Sequence, residues 1–185
     1  MLIPDFTIPF ITIALAELGD KSQILIFLLS SRMKQHFPFL IGVMLGFLVV
    51  DGFAIWIGAW MIQLVPMVWV KILSGFIFLI LGLLMLFAKN KEEKEELPSL
   101  KNPFLTGFGL IVVAEWGDKT QIASALFAAQ YHPVLVLIAV LAALLLLSTS
   151  AIYFGKIIAH RLNKRLTAKV GGALFVVLGL SALFF

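Results

Sequence analysis

The sequence predicts an all-α membrane protein with six transmembrane helices arranged as two inverted-topology three-helix repeats. Three observations predict this: an apolar content beyond what a water-soluble core can hide, six apolar runs of membrane-spanning length, and one charged motif that occurs twice. Of the 185 residues, 62% are hydrophobic and only 13% are charged, with a mean hydropathy of +1.09. A soluble domain carries about a quarter charged residues. Most side chains here must therefore be solvated by lipid. There is no cysteine, which excludes disulfides, thiolate metal sites and cysteine nucleophiles. The formal charge of +4 is no sign of nucleic-acid binding, because the basic residues fall in short loops between apolar runs. In that position they read as a topology signal.

Apolar runs of about 20 residues mark a span, and they place spans near residues 8–29, 39–62, 68–88, 104–129, 134–156 and 168–185. Between the first two lies Ser30 to Pro38, with Arg32, Lys34 and His36; Val65-Pro66 separates the next two, and His132-Pro133 the fourth and fifth. The stretch 89–102, with Lys91-Glu92-Glu93-Lys94-Glu95-Glu96 at its heart, reads as a solvated linker. It divides the chain into a first three-helix repeat, 1–88, and a second, 103–185. The first span is too long, and too charged at its centre, for a cleaved signal peptide. Arg32, Lys34, Lys89, Lys91, Lys94, Lys101, Lys156, Arg161, Lys164, Arg165 and Lys169 all fall on one side of this arrangement, and only Lys71 on the other. That bias makes the first side, linker included, cytoplasmic and puts both termini outside. Trp56, Trp60 and Trp69 lie towards the outer boundary as interfacial anchors.

The halves repeat. Glu17-Leu18-Gly19-Asp20-Lys21-Ser22-Gln23 recurs 98 positions later as Glu115-Trp116-Gly117-Asp118-Lys119-Thr120-Gln121, with Phe10, Ile13, Ala16, Ile24 and Leu28 matched by Phe108, Ile111, Ala114, Ile122 and Leu126. Further on the spacing becomes 97: Ala54 and Gly58 match Ala151 and Gly155, and Gly75, Phe78 and Gly82 match Gly172, Phe175 and Gly179. Three spans per half is an odd number, so the second copy enters the membrane in the opposite sense, as in many secondary transporters.

Both motifs fall near the middle of their spans, where a charge costs at least about 2.5–3.5 kcal/mol. Four acids and two lysines there demand partners or an aqueous cavity. Residues three and four apart share a helical face, so Glu17, Asp20 and Lys21 are expected on one face, and Glu115, Asp118 and Lys119 on another. Inversion lets the two faces meet. Two carboxylates and one ammonium leave each motif at −1, and the pair at −2, the charge that one divalent ion cancels. Glu17, Asp20, Glu115 and Asp118, the hydroxyls of Ser22 and Thr120 and the amides of Gln23 and Gln121 form an all-oxygen donor set, suited to calcium, magnesium or manganese. His36, His132 and His160 lie in or beside loops, away from it. The bland alternative, intrahelical Glu17–Lys21 and Glu115–Lys119 pairs that merely hold a bundle together, leaves Asp20 and Asp118 unpartnered, and buried ion pairs stabilise poorly. Lys21 and Lys119 are expected to compensate charge or take part in proton coupling, not to act as ligands. Gly19 and Gly117 are either packing glycines or points where the helix loosens. Asp51, near the middle of the second span and matched by Ser148, is a candidate proton-coupling or gating carboxylate; its bland reading is a hydrogen bond to a neighbouring helix. Trp116 is expected to pack beside the site.

Clustered carboxylates that bind a dication also bind protons, because an empty cluster holds like charges close together. Competition for the same oxygens is a physical basis for exchange. The duplicated Glu-x-Gly-Asp-Lys-Ser/Thr motif, one copy per three-helix half, resembles that of the calcium/manganese cation–proton antiporter family of bacterial membranes, chloroplasts and the Golgi, and the resemblance covers all six spans. It implies that Glu17, Asp20, Glu115 and Asp118, with Ser22 and Thr120 beside them, form the cation site. The small six-span bacterial members look like manganese exporters. The lack of the N-terminal targeting extension of organellar members fits a bacterial inner membrane, in which the basic-residue bias makes both termini periplasmic. The expected partners are a divalent cation, protons and membrane lipids, with no nucleic acid and no resident cofactor; a homo-oligomer is compatible with the sequence. Two other readings stand beside this one. An exporter of amino acids or small organic cations would need fewer acids and a larger apolar pocket. An intramembrane acid/base enzyme could use paired acids, but the lysines and the duplication fit ion binding better, and no arginine lies inside a span to hold a phosphate.

Overall fold

The computed structural model describes residues 2–31, 33–87, 102–161 and 164–184. Within them the chain forms eight helices: α1 (Leu2–Glu17), α2 (Lys21–Ser30), α3 (His36–Leu64), α4 (Met67–Phe87), α5 (Pro103–Glu115), α6 (Lys119–Ala128), α7 (Pro133–Arg161) and α8 (Lys164–Phe184). Nearly all of the 89–102 linker lies outside the described residues, as do Arg32, Lys89, Lys91, Lys94 and Lys101 from the orientation argument. Local chemistry explains several boundaries. The Asn102 side chain accepts from the Phe104 and Leu105 N–H groups, and Pro103 opens α5 with a preset φ and no N–H to satisfy. Pro133 opens α7 in the same way. Pro66 separates α3 from α4.

The expected continuous spans 8–29 and 104–129 are each broken in two. Between α1 and α2 the chain makes a tight turn, closed by the Asp20 N–H donating to the Glu17 carbonyl at 3.1 Å. Between α5 and α6 the Asp118 N–H donates to the Glu115 carbonyl at 3.2 Å. Gly19 and Gly117 sit at the third position of these turns with φ of 77° and 82°, and Trp116, just before, has φ −68° and ψ 113°. Those angles define a type II turn, whose third residue must adopt positive φ and is therefore glycine. Of the two readings open for these glycines, the helix break is the one realised. The break also removes the premise that Glu17, Asp20 and Lys21 share a face of one helix.

Helix bounds in the two halves correspond. α2 and α6 are 98 positions apart at both ends, and α3 with α7 and α4 with α8 are 97 apart at both ends. The halves pack mostly against each other: α3 lies on α5 and α6, α7 on α1 and α2, and α4 on α8. Gly75 lies against Gly179, and Gly82 against Gly172. The order along one helix is reversed along the other, so α4 and α8 run antiparallel. Gly42 and Gly46 of α3 meet Phe104, Phe108 and Ile111 of α5 in ascending order, so those two run parallel. Close backbone approach through small residues is how helices associate where lipid removes the hydrophobic drive.

The surface is apolar. Val113, Phe87, Ile3, Val68 and Trp56 are exposed, while Glu17, Glu115, Asp51, Ser22, Thr120, Ser124 and Ser148 are buried. Large apolar groups outside and acids inside is the distribution expected of a protein in lipid. Among the described residues three helices are each long and apolar enough to cross a bilayer alone: His36–Met61, Met67–Phe87 and Pro133–Phe154. The split helices α2 and α5 are too short to do so singly. The chain is an all-helical, multi-pass membrane protein.

A Cβ added at Gly117 would meet nothing within 4 Å, so only the positive φ opposes it. Gly117→Ala is expected to lower stability by about 1–2 kcal/mol, the cost of a left-handed conformation. Gly109→Ala, in equally open space on α5, should not destabilise. Thermal unfolding of the two variants in detergent checks this difference.

Candidate cation site

The two turns bring the motif acids to the ends of four helices. Glu17 closes α1 and Glu115 closes α5, while Asp20 and Asp118 are the N-cap residues of α2 and α6. Each turn is braced by its own glutamine. Gln23 Oε1 accepts the Gly19 N–H at 2.9 Å, and Gln121 Oε1 accepts the Gly117 N–H at 2.7 Å. This resembles a capping box displaced by one residue, with the side chain at the third helical position reaching back to an otherwise orphaned donor. The Asp20-x-x-Gln23 and Asp118-x-x-Gln121 spacing before an apolar run is a helix-start signal, and together with the preceding glycine it was the sequence clue to both breaks.

Side chains cross between the halves at the centre. The Thr120 hydroxyl donates to Glu17 Oε1, and in the reciprocal position Ser22 lies near Glu115. Carboxylate oxygens of Glu17, Glu115 and Asp118 lie within 4.8 Å of one another. Glu17 is 1% exposed and Glu115 5%. Asp20 stands just outside this trio, its Oδ1 accepting the Lys21 N–H at 2.7 Å.

Lys119 brings an ammonium into the cluster. Its ammonium bonds Glu17 Oε1 at 2.8 Å, lies 3.5 Å from Asp118 Oδ2 and makes a close ion pair with Asp20 Oδ2. The Lys119 ion pairs with Glu17 and Asp20 thus join the two halves, unlike the Glu115–Lys119 pair of the bland alternative, which would have stayed within one motif. The equivalent Lys21 is at an exposed position.

Asp51, on α3, is 1% exposed and accepts from the Ser124 hydroxyl of α6 at 2.8 Å. It lies within electrostatic reach of Glu17 and Asp118. One turn of chain away, Gln121 Nε2 donates to the Val50 carbonyl at 3.2 Å. The first-half counterpart differs: Gln23 Nε2 is buried without a hydrogen-bond partner among the described residues. Ser124, which sequence reasoning passed over, could have been found only from its neighbour in space. Trp116 is exposed and stacks on Phe53, with ring centroids 6.0 Å apart. His36 and His132 lie at the helix ends, outside the cluster.

Buried oxygen donors drawn from both halves and held by helix breaks have the chemistry for which hard cations and protons compete. The sequence profile described as "Divalent cation/proton antiporter GDT1" matches residues 5–93 and 103–185. The chain belongs to the GDT1 family. A Vibrio cholerae serotype O1 protein named "Putative manganese exporter" is 34% identical over 94% of this chain and 88% of its own length. A GDT1-like protein of Synechocystis is 26% identical over 94% of both chains. GDT1-like protein 5 of Arabidopsis thaliana is 33% identical over 52% of this chain and 46% of its own. No solved structure matches. As a GDT1 antiporter the protein is a transporter and not an enzyme, and the divalent cation is its cargo, not a resident cofactor.

The two turn braces are unequal, because Gln121 makes a second hydrogen bond that Gln23 lacks. Gln121→Ala should destabilise the protein more than Gln23→Ala, by about 1 kcal/mol, the net value of one hydrogen bond. Thermal midpoints of the two variants, measured side by side, check it.

Proposed function

We propose that the protein exports manganese from a bacterial cytoplasm in exchange for protons, by alternating access about a cation site made of Glu17, Glu115, Asp118 and Asp20. The observation that carries this reading is the trio of carboxylate oxygens within 4.8 Å of one another. Calcium–oxygen bonds are about 2.3–2.6 Å long, so a small inward shift of the side chains would let one hard dication of that size touch all three. Ser22 and Thr120 orient the glutamates in this scheme, and Gln23 and Gln121 chiefly hold the turns. Calcium fits the same donors; manganese is favoured because the Vibrio relative's name specifies it.

Six spans in two inverted three-helix repeats, 1–88 and 103–185 joined by the 89–102 linker, form the scaffold of this proposal. The matched helix bounds and the antiparallel run of α4 against α8 support it. The bias of lysine and arginine supports a cytoplasmic linker and periplasmic termini in the inner membrane. Rocking of one repeat against the other would carry the site between the two sides. Asp51, held by Ser124 beside the cluster and without an ion pair among the described residues, would carry the proton.

Two measurements test the scheme. Glu17→Gln and Glu115→Gln should each weaken manganese binding about tenfold or more, since ligand charge tunes such sites over several decades; metal-dependent thermal stabilisation reads this directly. Asp51→Asn, which keeps an oxygen to accept from Ser124, should still bind manganese but lose the response of flux to an imposed pH gradient in proteoliposomes. Flux through the unaltered protein that ignores the gradient would sink the proton-coupled reading.

A further inference from the structure

We propose that the Lys119 ammonium is a tethered competitor for the cargo: it occupies the carboxylates in the empty protein, a dication must displace it to bind, and this displacement selects for divalent over monovalent ions. The inference rests on the cation site proposed above and adds a residue that sets its affinity and its selectivity.

The geometry makes the two cations mutually exclusive. Lys119 Nζ bonds Glu17 at 2.8 Å and lies 3.5 Å from Asp118. Those are two of the three carboxylates that a single ion would draw together. An ammonium is a compact point charge with three donors, so it satisfies several carboxylates at once much as a small ion does. Its long, flexible stem lets it leave without moving the backbone. A competing cation that is part of the chain also needs no supply from either side of the membrane.

The position of Lys119 supplies a force for its departure. It is the first residue of α6, at the end of a helix that carries partial positive charge and repels cations. Only the carboxylates hold the ammonium there. Once a dication neutralises them, the attraction is gone, and both the helix end and the bound ion push the lysine outward. The ammonium stays charged throughout, so no titration of the lysine is involved.

Valence selectivity follows from the exchange. A monovalent ion that displaces Lys119 replaces one positive charge by another and gains little. A dication gains twice the charge at the same oxygens for the same loss. A site of bare carboxylates would bind sodium and potassium as well as the cargo; a site already filled by an ammonium turns them away. The same residue weakens apparent affinity, because only the fraction of molecules with the lysine swung out can bind. For an exporter this confines uptake of cargo to conditions in which the cation is abundant.

The test compares the full-length protein in detergent with Lys119→Gln and Lys119→Arg, with manganese binding measured by calorimetry in the presence and absence of sodium. Lys119→Gln should bind manganese about tenfold more tightly if the lysine occupies the site roughly nine-tenths of the time, and sodium should now compete. Lys119→Arg, still a cation, should keep the sodium resistance. Unchanged or weaker manganese binding by Lys119→Gln, with the unaltered protein binding normally, overturns the proposal. Absence of binding by both proteins overturns the cation site itself, and the competitor with it. A measurement on the unaltered protein covers the event that Lys119→Gln does not fold. Manganese should increase modification of Lys119 by an amine-reactive reagent several-fold relative to Lys21, read by mass spectrometry. No increase at Lys119 when manganese binds would also overturn the proposal.

Discussion

A carboxylate enclosed by apolar helices needs a cation, a proton or aimed hydrogen-bond donors, because water is not there to solvate it. Glu17, 1% exposed, meets that need from two directions, through the Lys119 ammonium and the Thr120 hydroxyl. Both partners belong to the other half of the chain, on consecutive residues of α6. The central ion pair is therefore also the fastening between α1 and α6. Whatever replaces Lys119 at Glu17 changes the connection between the halves as well as the charge in the site. In a bundle built this way, a change of charge at Glu17 acts directly on a contact between helices.

The turns at Gly19 and Gly117 make this fastening possible. An unbroken helix would stack the two acids of each motif along one face and leave no backbone group free. A type II turn instead places a glutamate at the end of one helix and an aspartate at the start of the next, within four residues. Broken backbone inside a membrane is tolerated where its polar groups find partners or line a cavity. Gln23 and Gln121 provide those partners from within the motif. The motif thus encodes both the acids and the bend that gathers them, which explains why its glycine and glutamine recur together with its charges.

Much of this could be read along the chain. The 98- and 97-residue offsets deduced from side chains reappear as helix bounds, and the apolar runs of α3, α4 and α7 correspond to helices long enough to cross a bilayer. Hydropathy reports lipid exposure but not backbone continuity, so the first and fourth runs read as single spans although each contains a turn. The pairing of charges was hidden for a related reason. Spacing within a helix relates Lys119 to Glu115, its neighbour four residues back, whereas the fold delivers it to Glu17 and Asp20 of the other half. Asp51 stood out because a lone acid in an apolar run is conspicuous. Its partner Ser124 did not, because a serine in a helix usually finds its own backbone.

The placement of Asp51 depends on glycines some distance from it. Gly46 sits against Ile111 and Phe108 of α5, and a Cβ at Gly58 would fall 2.0 Å from the Ala125 carbonyl of α6. These two contacts, on either side of Asp51 along α3, press the helix onto α5 and α6 and fix its register against them. With that register set, Asp51 comes opposite Ser124 and Val50 comes opposite Gln121. A side chain at Gly58 would push α3 away from α6 and pull both hydrogen bonds apart, although neither involves the glycine. The asymmetry with Ser148 then acquires a structural meaning. The two halves share helix bounds, turns and braces, yet only α3 brings a carboxylate up to the opposing broken helix. A duplicated scaffold with one unduplicated acid can thus confine a further ionisable group to one side of the carboxylate cluster.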